Sequence, residues 1–185
     1  LIWPWGTNPV HAGLQPALAP TADDLAKWRK QCAELLHEPS RFTNAIHLTT
    51  SARDALVASG MRRVMILMAD RTHANLRVHQ TAGLPDEVAG LNFNVSQSAL
   101  LQRLLSQQAQ VRLTPLNNAQ FSAMLPASLR SQFGGEHLLL RSLVNNGRVI
   151  MIVVADQGGG PFSEITVQAF GKTAQCIEKA LHSFS

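Results

Sequence analysis

The stretch from Leu138 to Ala155 constrains this chain more than any other. Two apolar runs, Leu138–Val144 and Val149–Ala155, meet at Asn145-Asn146-Gly147. Asn and Gly accept the positive φ that a two-residue hairpin turn demands, so the two runs pair antiparallel. Both are strand-sized, and no apolar run in the chain approaches the roughly 20 residues that span a bilayer. The fold must therefore be built around an antiparallel hairpin.

Further strands follow the same logic. Val64–Ala69 is short and apolar, as a buried strand is. After the polar turn Asp70–Asn75, residues Leu76–Thr81 alternate, placing Leu76, Val78 and Gln80 opposite Arg77, His79 and Thr81. Leu91, Phe93 and Val95 alternate again beyond Gly83-Leu84-Pro85. Ser98 then caps a helix carrying Leu100, Leu101, Leu104 and Leu105. Residues 112–136 are irregular: a short extended piece, a short helix around Phe121, Met124 and Leu125, a break at Pro126, and a turn from Leu129 to Phe133.

Helices bracket these strands. Thr21 and Asp24 form a capping pair ahead of Leu25, Trp28, Cys32 and Leu35, which share one helical face until Pro39 ends the run near His37. A second run places Phe42, Ala45, Leu48, Ala52 and Leu56 on one face and ends at Gly60. Beyond Gly158-Gly159-Gly160-Pro161, Ser163 caps a last helix striped by Val167, Phe170, Ala174, Ile177 and Leu181. The class is α+β: a mainly antiparallel central sheet, terminal helices on one face, and a short helix and loop segment over the other. Residues 1–20 hold four prolines and no charge, which suits a linker or the tail of an upstream domain, with Trp3 and Trp5 docking on something. Residues 21–40 then form a connecting helix and 41–185 the domain proper. Hydrophobic residues at 45% and charged residues at 15% exclude wholesale disorder.

From Arg41 to Phe184 the order of elements resembles a GAF domain. The resemblance is carried by the strand Arg63–Asp70, by Gly83-Leu84 after the second strand, by the hairpin Leu138–Ala155, and by Pro161-Phe162-Ser163-Glu164 opening the last helix. It implies a non-catalytic sensory module of a bacterial-type cytoplasmic signalling protein. Such a module needs no cofactor, binds a small effector between the sheet and the segment Asn94–His137, and dimerises through its terminal helices. Some bacterial proteins place such a module after an HDOD domain, and the proline-rich start fits that junction. The chain departs from the family pattern at Ser142, where Pro is usual, and at Met151, where Gly is common. The thioether of Met151 adds volume at a close-packed position.

Arg141 interrupts an apolar strand and must find an anion, a carbonyl set or solvent. With Ser98, Phe121, Arg130 and His137 it completes the expected effector contacts, chosen by chain position and face. The seven histidines show no metal-ligand spacing. Cys32 and Cys176 fall on apolar helical faces, where thiols are usually inert, which separates the chain from the methionine sulfoxide reductases of GAF fold and from bilin attachment. Gly158-Gly159-Gly160 lacks the following Lys of a phosphate loop and reads as a connector. The basic residues are scattered, Arg62-Arg63 being the only adjacent pair of arginines, so nucleic acid is not an expected partner. Two readings remain beside a small enzyme: an effector sensor, and a ligand-free dimerisation scaffold whose cavity is filled.

Overall fold

The Thr21–Asp24 pair closes as a reciprocal box: Asp24 N–H donates to Thr21 Oγ1 at 3.1 Å, and Thr21 N–H donates to Asp24 Oδ2 at 3.0 Å. The Thr21 backbone N–H, and then its side chain, hold the exposed Asp24 carboxyl below its ordinary pKa. Helix α1 (Ala22–His37) starts from this cap. The computed structural model describes residues 20–37 and 44–184. The proline-rich start with Trp3 and Trp5, the stop at Pro39, and Phe42 lie outside these residues. Asn44 caps α2 (Ala45–Ala58), its Oδ1 accepting from His47 N–H at 2.8 Å.

Six strands follow: β1 (Arg63–Ala69), β2 (Asn75–Ala82), β3 (Asn92–Asn94), β4 (Gln110–Leu113), β5 (Leu138–Asn145) and β6 (Arg148–Asp156). They form one sheet in the order β3-β2-β1-β6-β5-β4, and every pairing is antiparallel. The extended piece near residue 112 is thus an edge strand of the sheet. Between β3 and β5 lie α3 (Ala99–Ser106), α4 (Asn118–Ser122) and α5 (Ala127–Arg130), and α6 (Glu164–Phe184) closes the described chain. This is the α+β arrangement expected from the hairpins.

The turn between β5 and β6 has positive φ at both central residues, +54° at Asn146 and +77° at Gly147. A Cβ at Gly147 would meet nothing within 4 Å, so only backbone strain opposes a side chain there. Gly147→Ala is expected to cost about 1–2 kcal/mol, read as a lower urea midpoint with an unchanged slope.

Two apolar layers flank the sheet. On one side Leu48, Ala52 and Leu56 of α2 and Phe170, Ala174, Ile177 and Leu181 of α6 pack on Val64, Ile66, Leu139, Leu143, Met151 and Val153. Leu35 of α1 joins the same core, so the connecting helix is packed into the domain. Met151 fills space under the helices on this side, not on the crossover side. On the other side α3, α5 and the connecting loops pack on Met65, Leu67, Leu138, Leu140, Ile152 and Val154.

One face assignment needs correcting. A bulge shifts the β1–β2 register so that Ile66 pairs with Gln80 and Leu67 with Val78, leaving His79 as the extra residue. A bulge reverses the alternation beyond it. Gln80 therefore leaves the face of Leu76 and Val78 and joins His79 against α2, donating to Thr49 Oγ1 at 3.3 Å and Thr50 Oγ1 at 3.2 Å. His79 Nε2 lies 2.8 Å from Thr49 Oγ1, and burial, with Arg77 nearby, lowers its pKa.

Candidate functional site

The layer between the sheet and the segment Asn94–His137, where an effector was expected, is filled by the protein's own side chains. Met65, Leu67, Leu101, Leu104, Leu129, Phe133, Ile152 and Val154 meet there, each with none of its surface exposed. The cause is local. The apolar stripe of α3 and the turn after α5 point straight at β1 and β6, and close packing leaves no gap between them.

The five expected contacts do not converge. Ser98 is buried and committed as the cap of α3: its Oγ donates to the Met124 carbonyl at 2.6 Å and accepts from Leu101 N–H at 3.2 Å. Phe121 packs against the crossover core from α4. Arg141 shares a face with Leu139 and Leu143 and so points to the opposite layer, under α6. Its guanidinium donates to Gln110 Oε1 at 2.8 Å, and Gly171 leaves room for it: a Cβ there would lie 3.7 Å from Arg141 Nη1. Ser142 takes the crossover face, its hydroxyl donating to the Leu104 carbonyl at 2.5 Å and its N–H to the Ala109 carbonyl at 2.9 Å. A proline there would lose that N–H donor.

Arg130 and His137 do come together, at one end of the sheet. Arg130 Nε donates to Ser122 Oγ at 2.8 Å, and its other nitrogens donate to the carbonyls of Phe133 and Gly135. It thereby fixes the course of the loop that carries Gly135 and His137. Gly135 in turn lies against Gly159: a Cβ on Gly135 would stand 2.1 Å from Gly159 Cα, so only glycine permits the approach. His137 N–H reaches the Gly159 carbonyl at 3.4 Å.

This junction forms one wall of a cleft of about 990 Å³. Its other walls are Pro20, Asp24 and Lys27 of the α1 end, Val57, Ala58 and residues 60–63, and the loop Gln157–Pro161 with Thr166. Arg62 makes no ion pair among the described residues, and its Nη1 lies 3.6 Å from where a Cβ on Gly158 would stand. Arg63 is held differently: Nε donates to Asp156 Oδ1 at 2.9 Å and Nη2 to Oδ2 at 2.5 Å, with Gly158 N–H donating to Oδ1 at 3.1 Å. His137 Nδ1 is enclosed and unpaired among the described residues. Burial and then Arg112 lower the His137 pKa, against an opposing pull from Glu136, so the ring is mainly neutral near pH 7. The cleft sets the cationic Lys27 and Arg62 beside the glycine loop, and such groups can pair with a small carboxylate or phosphate.

Sequence reasoning had passed over this site. Its signals were present: the adjacent pair Arg62-Arg63, and the run Gly158-Gly159-Gly160 with positive φ at its first two residues. Each was weighed separately, because nothing local shows that the start of β1 and the end of β6 are neighbours.

Neither a family model nor a curated protein matches the chain. Solved structures do. The chain is similar to residues 122 to 287 of a methyl-accepting chemotaxis protein, at 14% identity and a TM-score of 0.68, over 84% of this chain and 98% of that one. It is similar to the GAF domain of an Acinetobacter phosphoenolpyruvate-protein phosphotransferase, at 14% identity and a TM-score of 0.60, over 88% and 95%. It is also similar to a free methionine-R-sulfoxide reductase from Neisseria meningitidis solved with its substrate, at 15% identity and a TM-score of 0.64, over 92% and 98%. The fold is the GAF fold.

Proposed function

We propose that the chain is a non-catalytic regulatory module that binds a small anionic effector in the cleft at the end of its sheet. The observation that carries this is the free Arg62 guanidinium beside the glycine loop and the unpaired His137 Nδ1, in a cavity large enough for a metabolite. Support also comes from the fold shared with a chemotaxis protein and with a GAF domain of a phosphotransferase. Against a reductase activity stands the place of the cysteines, which lie on α1 and α6 and do not line the cleft. Because the cleft joins the start of α1 to the loop before α6, an effector that prefers one placement of α1 would shift that helix; equal preference would transmit nothing.

Thermal-shift screening with nucleotides, amino acids and small dicarboxylates tests the reading. One class is expected to raise Tm by several degrees, since a ligand at 100 times its Kd adds about 2.7 kcal/mol. Arg62→Ala should abolish the rise, and Arg141→Ala should leave it intact. The reverse pattern would move the site under α6.

A blank screen would favour the second reading, a dimerisation scaffold. Among the described residues, four of the five exposed large apolar side chains lie on the helical layer: Leu36 at 40%, Ile46 at 61%, Val57 at 39% and Ile165 at 48%. The main stripe of α6 is buried on its own sheet, so a dimer would have to use these residues instead. Sedimentation of wild type beside Ile46→Asp decides whether it does.

A further inference from the structure

The two cysteines, far apart in sequence, meet in the helical layer. Cys32 of α1 is buried and Cys176 of α6 is half-buried, and both lie where α1 packs on α6 around Thr173. Thr173, one turn before Cys176 on the same face of α6, anchors the contact: Trp28 Nε1 donates to Thr173 Oγ1 at 2.7 Å, and Cys32 Sγ lies 4.0 Å from that oxygen. Of the sixteen residues of α1 only Cys32 and Leu35 are buried.

We propose that Cys32 and Cys176 are a redox pair that closes into an intramolecular disulfide and fastens α1 to α6. The two thiols are unequal in ways that assign their roles. The neighbouring Cys32 thiol, with Lys179 nearby, brings the Cys176 pKa down to about 7, so near neutral pH much of it is the nucleophilic thiolate. The same contact, with burial, pushes Cys32 up, so it stays a thiol until its partner is oxidised. Cys176 also has the exposure an oxidant needs.

With a hydroperoxide as oxidant the steps balance. The Cys176 thiolate attacks the peroxide oxygen: an S–O bond forms, the O–O bond breaks, and the departing oxygen leaves as an alcohol or water after taking a proton. The Cys32 sulfur then attacks the sulfenic sulfur. The S–S bond forms, the S–O bond breaks, and hydroxide leaves as water with the Cys32 proton. Two thiols lose two electrons and the peroxide gains them. The bridge would hold Asp24 and Lys27, carried by the same helix, at the rim of the cleft, but its formation does not depend on any effector.

The test is peroxide treatment of the full chain, followed by intact mass, thiol titration and peptide mapping without reductant. The expected wild-type result is loss of two hydrogens' mass, a fall from two titratable thiols to none, and one cross-linked peptide pair, all reversed by dithiothreitol. Cys32→Ser should instead accumulate sulfenic acid at Cys176, trapped by a 1,3-diketone probe, while Cys176→Ser should leave Cys32 a free thiol. Two surviving thiols, a disulfide formed only between molecules, or sulfenic acid persisting in the wild type would each overturn the proposal.

Discussion

Arg63→Ala is expected to lower the unfolding free energy by about 3–5 kcal/mol, the largest effect of any single charged residue in the domain. Asp156 is fully buried, while the Arg63 side chain keeps a quarter of its surface exposed. Removing the arginine strands a carboxylate that cannot reach water, with only the Gly158 N–H left to it. The guanidinium also stands 5.8 Å from the centre of the Phe133 ring, so packing is lost with the charge. Replacing both partners by apolar residues, Arg63→Met with Asp156→Leu, should recover much of the loss, because no buried charge then remains unpaired. Guanidinium unfolding of wild type, single and double variants gives the comparison. A loss below 1 kcal/mol in the single variant would mean the pair is solvated in solution.

Phe133→Ala should cost a similar amount, about 3–5 kcal/mol. Phe133 has no exposed surface and sits where the turn after α5 meets the crossover core. Its value depends on tight packing: if the layer held a natural cavity, neighbouring side chains would relax into it and truncation would cost far less. The measured loss therefore reports on how solidly this face is filled, independently of any ligand.

Local chemistry made much of the fold legible. The Asn146-Gly147 turn, the caps at Thr21, Ser98 and Ser163, and the stripe of α6 each lie within a few residues of the features that determine them, and each forms as expected. What needed distant partners was hidden. The α3 stripe announced a helix but not that its leucines would plug the sheet. Gln80 was assigned to the wrong face because a bulge at His79 leaves no mark in an alternating pattern. Arg141 was rightly placed on the face of Leu139 and Leu143, yet which layer that face meets follows from the sheet order, and α6 lies there.

The same reason governs the candidate site. Of the residues chosen from chain position, His137 lines the end cleft, while Arg130 stands behind it and holds the loop through the Gly135 carbonyl. Arg62, Arg63 and Asp156 were missed as a group because Arg63 faces Asp156 only through the pairing of β1 with β6. Cys32 and Cys176 are the extreme case: each looks like inert core on its own helix, and only the packing of α1 on α6 makes them a pair.

Amide chemical-shift mapping during titration with whichever small anion stabilises the protein probes the location of binding most directly. Perturbations should gather at Asp24–Lys27, Gly60–Arg63, Gly134–His137 and Gln157–Gly160, leaving Ser98, Phe121 and Leu104 unmoved. Shifts centred on those last three residues, or no saturable shifts with any anion, would contradict a sealed interior with its working cleft at the strand ends.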